Sequence, residues 1–131
     1  MKWTYAEPGF ITEMMVDDKP VLLSVEPFAA DQQEEAEKYA QEVWEWLLSQ
    51  RGRIEDEALR IVSLKNAHWL EVGEPPMTVE DMLPHLQTVA AVYARGDEGI
   101  MIYFDVGDVF AGNSVVVLIS PTYTFRGIQI M

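Results

Sequence analysis

The chain has 131 residues, and its 22 acidic residues outnumber 9 basic ones, which gives a formal net charge of −13. This charge excludes the usual binders of nucleic-acid backbones, which neutralise phosphates with Lys and Arg, and it disfavours docking on an anionic membrane leaflet. The absence of cysteine excludes disulfides, thiolate zinc sites and cysteine nucleophiles. The length and a hydrophobic content of 49% predict one globular domain over residues 1–131.

The chain begins with segments of extended character that are separated by turn residues. Residues with high strand propensity alternate between polar and apolar, and Pro, Gly and Asp punctuate them. This pattern predicts three strands, over Trp3–Ala6, Phe10–Val16 and Val21–Phe28.

The clearest helix in the sequence is predicted over Asp31–Gln50. At 100° per residue, one side of it is an apolar stripe made of Ala36, Tyr39, Ala40, Val43 and Leu47. Asp31 is the predicted N-cap, and Arg51 with Gly52 is the predicted C-terminal stop.

Two shorter helices follow in the prediction. The first covers Ile54–Leu64 and has acidic residues in its first turn, and a loop over Asn66–Pro76 comes next. The second begins at Thr78, because Thr78-Val-Glu-Asp is a capping signal.

The hydrophobic period changes to two after Gln87. Short connections between such segments predict an antiparallel meander of four strands, over Thr88–Tyr93, Ile100–Phe104, Ser114–Ile119 and Thr124–Ile130. Val115–Ile119 is apolar at every position, so we expect an internal strand with a helix on one side. The predicted fold class is α+β, a mostly antiparallel sheet packed against one long and two short helices. The predicted core includes Val43, Leu47, Val115, Val117 and Ile119.

Little in the sequence points to catalysis or to a bound group. The two histidines, His68 and His85, lack metal-binding spacing, and no Gly-rich phosphate loop or Gly-x-Ser-x-Gly motif is present. No apolar run reaches the roughly 20 residues of a membrane-spanning helix, and the first ten residues do not look like a signal peptide. We therefore expect a soluble cytoplasmic protein that is not an enzyme and that uses no metal and no cofactor.

The segment Asp105–Asn113 carries oxygen ligands that suggest a calcium loop, but its spacing is not that of an EF-hand. We expect instead that the Asp and Asn side chains bond to their own backbone. A ligand-binding domain that uses this loop stays an alternative, and it requires a concave pocket there.

The polar side of the long helix is acidic. Asp31, Glu34, Glu35, Glu42 and Glu45 fall on one stripe together with Lys38, and Trp46 lies at its border with the apolar stripe. One interpretation is a solvated face, with a weak Glu34–Lys38 pair and Trp46 at the edge of the core. The other is a surface that meets a basic partner through electrostatic steering, with Trp46 as its aromatic anchor.

The chain from Ala58 to its end resembles the domain-of-unknown-function family 2262, a set of small bacterial proteins. The matching motifs are Leu64-Lys-Asn66, Trp69, Gly73-Glu74, Met77-Thr-Val-Glu-Asp81-Met and Phe104-Asp-Val-Gly-Asp108-Val-Phe110-Ala-Gly112-Asn-Ser-Val-Val-Val117. Asn113 stands where the family usually has His, and Ala111 where it often has Trp, so no role that needs that His is carried over. The resemblance implies an α+β domain without known catalysis, with relatives among the immunity proteins of polymorphic toxin and contact-dependent inhibition systems.

The resemblance and the charge together predict a function. Immunity proteins are commonly small, acidic and cytosolic, and they bind basic toxin domains, often nucleases. We expect an immunity protein that occludes the basic active site of a cognate toxin, and the predicted partner-binding residues are Asp31, Glu34, Glu35, Glu42, Glu45 and Trp46. The alternative is an acidic mimic of nucleic acid that inhibits a DNA- or RNA-binding protein.

Overall fold

A computed structural model describes residues 2–87 and 89–131 and places seven strands in one sheet. The strands are β1 (Thr4–Ala6), β2 (Gly9–Val16), β3 (Lys19–Glu26), β4 (Val89–Arg95), β5 (Gly99–Phe104), β6 (Val115–Ile119) and β7 (Phe125–Ile130). They lie side by side in chain order, and every neighbouring pair is antiparallel except β3 and β4, which are parallel. The predicted α+β class with a mostly antiparallel sheet is confirmed. Thr88, the predicted start of the fourth strand, lies outside the described residues.

The helices form the crossover that a parallel pair of strands requires. They are α1 (Gln33–Ser49), α2 (Arg51–Glu55), α3 (Ala58–His68) and α4 (Val79–Met82), and a 3₁₀ turn over Leu83–Gln87 leads into β4. Helix α1 contacts β2 and β3. The sequence pattern gave no sign of the parallel pair, because strand direction depends on the path of the crossover.

The core lies between the helices and one face of the sheet, which we call the covered face. On β3, alternate residues point into it, and Val21, Leu23 and Val25 are each at most 1% exposed. Strand pairing continues this row through Val92 of β4 and Ile102 of β5. The five predicted core residues are confirmed, since all of them are at most 3% exposed: Val43, Leu47, Val115, Val117 and Ile119.

The predicted long helix is confirmed, and it ends within one residue of the predicted Gln50, but its predicted N-cap is wrong. Asp31 lies in the turn before α1, and the N-cap position belongs to Gln32, whose side chain makes no capping bond to the helix. The Gln32 side chain instead accepts a hydrogen bond from the backbone N–H of Ala29 at 2.8 Å. Arg51 and Gly52 are not a stop, because they form the first turn of α2.

The predicted helix over Ile54–Leu64 is two helices. The chain breaks between α2 and α3 near Glu57, whose side chain is buried and paired with Arg53 at 2.8 Å and Arg60 at 3.6 Å. The acidic residues that were expected in the first turn of one helix therefore lie at the break between α2 and α3, where ion pairs of Glu57 hold the chain.

The segment after α3 also differs from its prediction. Helix α3 continues to His68, so a loop that begins at Asn66 is wrong. The Asn66 side chain instead pairs with the backbone of Met77, accepting from its N–H at 2.8 Å and donating to its carbonyl at 3.0 Å. The predicted capping signal is confirmed, because Thr78 and Asp81 form a reciprocal capping box at the start of α4.

The other side of the sheet, which we call the open face, carries no helix among the described residues. On β3 its residues Leu22 and Ser24 stay half-buried, in contrast to the fully buried residues between them. Val116 of β6 is buried but lies outside the main core cluster. The molecule is thus a sheet with one helix layer.

Candidate functional site

The predicted acidic stripe occupies the outer side of α1. Four of its residues lie within the helix, and Asp31 lies in the turn just before it. All five carboxylates are exposed, and we call them the acidic face: Asp31, Glu34, Glu35, Glu42 and Glu45. Glu34 and Glu45 are separated by about 16 Å along the helix axis, at 1.5 Å per residue. The structure therefore brings the predicted acidic residues onto one surface.

Helix α1 contains one cation, Lys38, which lies on the same stripe and offsets little of the charge of this face. Five Lys and Arg side chains form ion pairs in the described residues, and their acidic partners are Asp17, Glu26, Glu57, Glu74, Asp97 and Glu98. None of these partners belongs to the acidic face. Within residues 2–87 and 89–131 the expected Glu34–Lys38 pair does not form. The face therefore presents its negative charge directly to solvent.

Trp46, the predicted anchor, packs mainly within the molecule. Its ring centroid lies 5.1 Å from that of Tyr123 and 6.2 Å from that of Phe125. The Arg53 guanidinium completes this cluster, 4.5 Å above the Phe125 ring. Trp46 thus joins α1 to the last strand and its preceding turn, and only part of it remains exposed beside the acidic face. These two contacts could not be predicted from local spacing, because Tyr123 and Phe125 lie more than 70 residues after Trp46 in the sequence.

Glu42 differs from the other acidic residues because it lies close to two tyrosines. Burial raises the pKa of Tyr123 to about 12, and the negative charge of Glu42 adds to the effect. Burial likewise raises the pKa of Tyr39, again with a contribution from Glu42. Both phenols stay neutral at physiological pH. Since Glu42 is tied to this packing, Glu34, Glu35 and Glu45 are the cleaner probes of the acidic face.

The Asp105–Asn113 segment closes on itself. The Asp105 carboxylate accepts from the Gly107 N–H at 3.0 Å, and the Asn113 amide donates to the Phe110 carbonyl at 3.0 Å. Val106 and Phe110 are fully buried beneath the loop. The expected bonding of side chains to their own backbone is confirmed for Asp105 and Asn113. Within residues 2–87 and 89–131 the Asp108 side chain forms no such bond, and a structural role of the whole loop stays a prediction.

A surface cleft lies instead at one end of the open face. It has a volume of about 580 Å³, and its lining includes Tyr93, Arg95, Leu118 and Arg126. Arg95 donates to Glu26 and Asp97, each at 3.2 Å. Nearby carboxylates, Glu98 first and then Asp97, raise the pKa of Arg95. The cleft therefore has mixed charge, and Arg95, one of the two cations in its lining, is already paired.

The structure offers no evident metal site or membrane span in its described part. No group of three or more His, Asp or Glu residues there is arranged to hold a metal ion. No described helix is long and apolar enough to cross a bilayer.

Comparison of the chain with known protein families, with curated proteins and with solved structures found no match. The family resemblance therefore rests on the short sequence motifs alone. Several residues of these motifs contact one another in the structure. The buried Lys65 donates to Glu74 at 2.9 Å and to the Trp69 carbonyl at 2.8 Å. The Trp69 ring meets the Phe110 ring edge-on, with 5.6 Å between centroids. In this chain these motif residues hold the segment after α3 against the core.

Proposed function

We propose that this protein is a cytoplasmic immunity protein that binds a basic bacterial toxin domain and occludes its active site. The observation that carries the proposal is the acidic face of α1, where five exposed carboxylates have no cationic partner in the described structure. The family resemblance suggests the class of immunity proteins, and the acidic face suggests how such a protein would recognise a basic toxin.

Long-range electrostatic attraction supports this role. Like charges along one helix side repel one another and contribute nothing to packing, but their summed field attracts a cationic surface. Such steering raises association rate constants from about 10⁵–10⁶ to about 10⁸–10⁹ M⁻¹s⁻¹ at low salt. An active site that binds phosphates is basic, so carboxylates spread along a helix can compete for its cationic groups. An inhibitor with this face would reach its target quickly.

Short-range contacts would then hold the complex. Trp46 lies at the border of the acidic face, and its inner side is fixed by Tyr123 and Phe125. An aromatic side chain that is already ordered loses little conformational entropy on binding, which favours affinity. We therefore assign Trp46 to the edge of the binding surface, where it also stabilises the fold.

The test is protection of cells from the product of the neighbouring gene. The variant Glu34→Lys, Glu35→Lys, Glu45→Lys reverses the acidic face, and we expect it to lose protection and binding. Its control is Glu71→Lys, Glu80→Lys, Asp108→Lys, which alters three exposed acids elsewhere and changes the net charge equally. The control should protect as well as the wild type. Full protection by the acidic-face variant, or no binding of the neighbouring product by the wild type, would contradict the proposal.

The nucleic-acid mimic would use the same acidic face on a different target. In that case the partner is a DNA- or RNA-binding protein that is not toxic to the cell, and added DNA or RNA displaces the inhibitor. Growth inhibition by the isolated partner therefore separates the two functions.

A further inference from the structure

The open face is apolar to an unusual degree for this chain. Strand pairing from β2 to β7 aligns one row of Ile11, Ser24, Tyr93, Met101, Leu118 and Gly127. The next row is Glu13, Leu22, Ala91, Tyr103, Val116 and Gln129. Only one of these twelve residues is charged, whereas charged residues make up 24% of the chain. The middle of the open face is therefore an uncharged surface in a strongly acidic protein.

Two tyrosines stand at the centre of this surface. The rings of Tyr93 and Tyr103 meet edge-on with 5.3 Å between their centroids, and Tyr93 is 41% exposed. Paired rings are rigid, and tyrosine is enriched in protein interfaces because it offers a large apolar body with a polar tip. Met101 and Leu118 lie in the same row as Tyr93.

The charges at the cleft end of the open face are balanced. Arg95 forms ion pairs with Glu26 at 3.2 Å, with Asp97 at 3.2 Å and with Glu98 at 3.6 Å. Arg126 also lines the cleft, and its positive charge offsets that of Glu98, the second carboxylate of the lining. A basic partner gains little attraction from a surface of this kind. Another copy of the chain, which is repelled by the acidic face, meets the least repulsion here.

We propose that the open face is the interface of a symmetric homodimer, in which two sheets pack face to face. Six strands about 4.8 Å apart and about six residues long, at about 3.3 Å each, give an area of about 600 Å² per copy. Two copies would bury about 1,200 Å², the lower end of the range for stable interfaces. A two-fold axis sets the same patch against itself, so a surface with one charge in its two central rows meets little like-charge repulsion from its own copy. This arrangement leaves the acidic face outward on both copies.

The test is the mass of the protein in solution, measured by sedimentation over a range of concentrations up to millimolar. We expect a monomer–dimer equilibrium that tightens between about 0.15 M and 1 M salt, because the Debye length falls from about 8 to 3 Å and the two acidic chains repel less. A monomeric mass at every concentration and salt level would overturn the proposal.

Matched substitutions locate the interface. Tyr93→Lys places a cation at its centre and should raise the dimer dissociation constant at least about tenfold, as expected for an interfacial aromatic residue. Ser24→Arg, beside it in the same row, is a second variant with the same expected effect. The control is Leu59→Lys on α3, where Leu59 is 63% exposed outside the open face. Dissociation by Leu59→Lys, or a dimer unaffected by both open-face variants that fold, would show that another surface mediates association.

Discussion

The outer side of α1 and the open face of the sheet lie on opposite sides of the molecule and differ in chemistry. The first carries exposed carboxylates without cationic partners, and the second has one charge in its two central rows. The charge is also distributed unevenly along the sequence. Residues 31–57 contain nine acids and three bases, whereas residues 99–131 contain two acids and one base.

This difference separates two kinds of recognition. Charge acts over about 8 Å at physiological salt and weakens as salt increases, whereas apolar contact requires touching surfaces and does not need charge. A helix layer with acids and a sheet with apolar residues thus give one small chain two independent surfaces. Each can be altered without changing the other.

The largest expected effect tests whether the two faces of the sheet are distinct. Leu47 is 3% exposed in the core, and Leu118 is half-buried on the open face. Leu47→Ala should lower the free energy of unfolding by about 2–5 kcal/mol, because it leaves a cavity. Leu118→Ala should cost less than about 1.5 kcal/mol at concentrations where the protein is monomeric. Equal losses in chemical denaturation would show that the open face is a second core.

The next effect concerns the loop over residues 105–113, which belongs to neither surface. Gly112 has φ of +85°, a region that a β-branched residue adopts only with strain. Gly112→Val should cost about 1–3 kcal/mol, measured by thermal unfolding, and it should weaken partner binding only through loss of folded protein. Normal melting combined with lost binding would make this loop a functional site.

A smaller effect is expected at the start of α4, where the capping box orders the segment that leads into the sheet. Thr78→Ala should lower stability by about 0.5–2 kcal/mol, because it removes the bond from Asp81 N–H to the Thr78 hydroxyl. Denaturant unfolding measures the loss, and Ser at position 78 should restore it.

Acid titration checks the other half of the same box. Hydrogen bonds from Thr78 lower the pKa of Asp81 below its ordinary value of 3.8. Because the pKa of Asp81 is lowered in the folded state, its ionised carboxylate contributes fully to the stability of the fold above pH 3.8. This contribution is lost as the pH falls through the lowered pKa of the folded state. The stability of the wild type should therefore fall relative to Asp81→Asn in that acidic range. Parallel pH curves for the two proteins would contradict the capping role.

The smallest effect on stability is expected at the acidic face. Glu34→Lys and Glu35→Lys remove acids from the first turn of α1 and should each lower the free energy of unfolding by at most about 1 kcal/mol. Glu45→Lys loses a 3.0 Å hydrogen bond from Gln41 and should cost less than about 0.5 kcal/mol, because both side chains are exposed. Urea unfolding of the triple variant checks this. A loss of several kcal/mol would mean that these carboxylates support the fold, and binding data on the variant would then lose their meaning.

The periodic elements of the fold could be predicted from the sequence. The stripe of α1 and the alternation of the C-terminal strands both follow local rules, because one side must be apolar to meet the core. The break at Glu57 could not be predicted in this way, since its burial depends on Arg53 and Arg60 folding over it. Local spacing shows acids near a helix start, but it does not show that one of them turns inward.

The candidate surfaces were predictable to different degrees. Four of the five residues of the acidic face follow from helical spacing and could be named in advance, whereas Asp31 lies in the turn before the helix. The contacts of Trp46 with Tyr123 and Phe125 depend on tertiary packing, as does the open face. Val115–Ile119 is apolar throughout, which predicts a covered side and also leaves an apolar second side. That second side is the available sequence signal of the open face.

The most direct test of the role of the acidic face is the association rate constant with the basic partner, measured by stopped flow at several salt concentrations. For the wild type and the control Glu71→Lys, Glu80→Lys, Asp108→Lys, we expect fast association that slows steeply as salt increases. For Glu34→Lys, Glu35→Lys, Glu45→Lys, we expect at least about tenfold slower association at low salt and a weaker salt dependence. Equal rate constants for all three proteins at every salt concentration would show that the acidic face does not steer association.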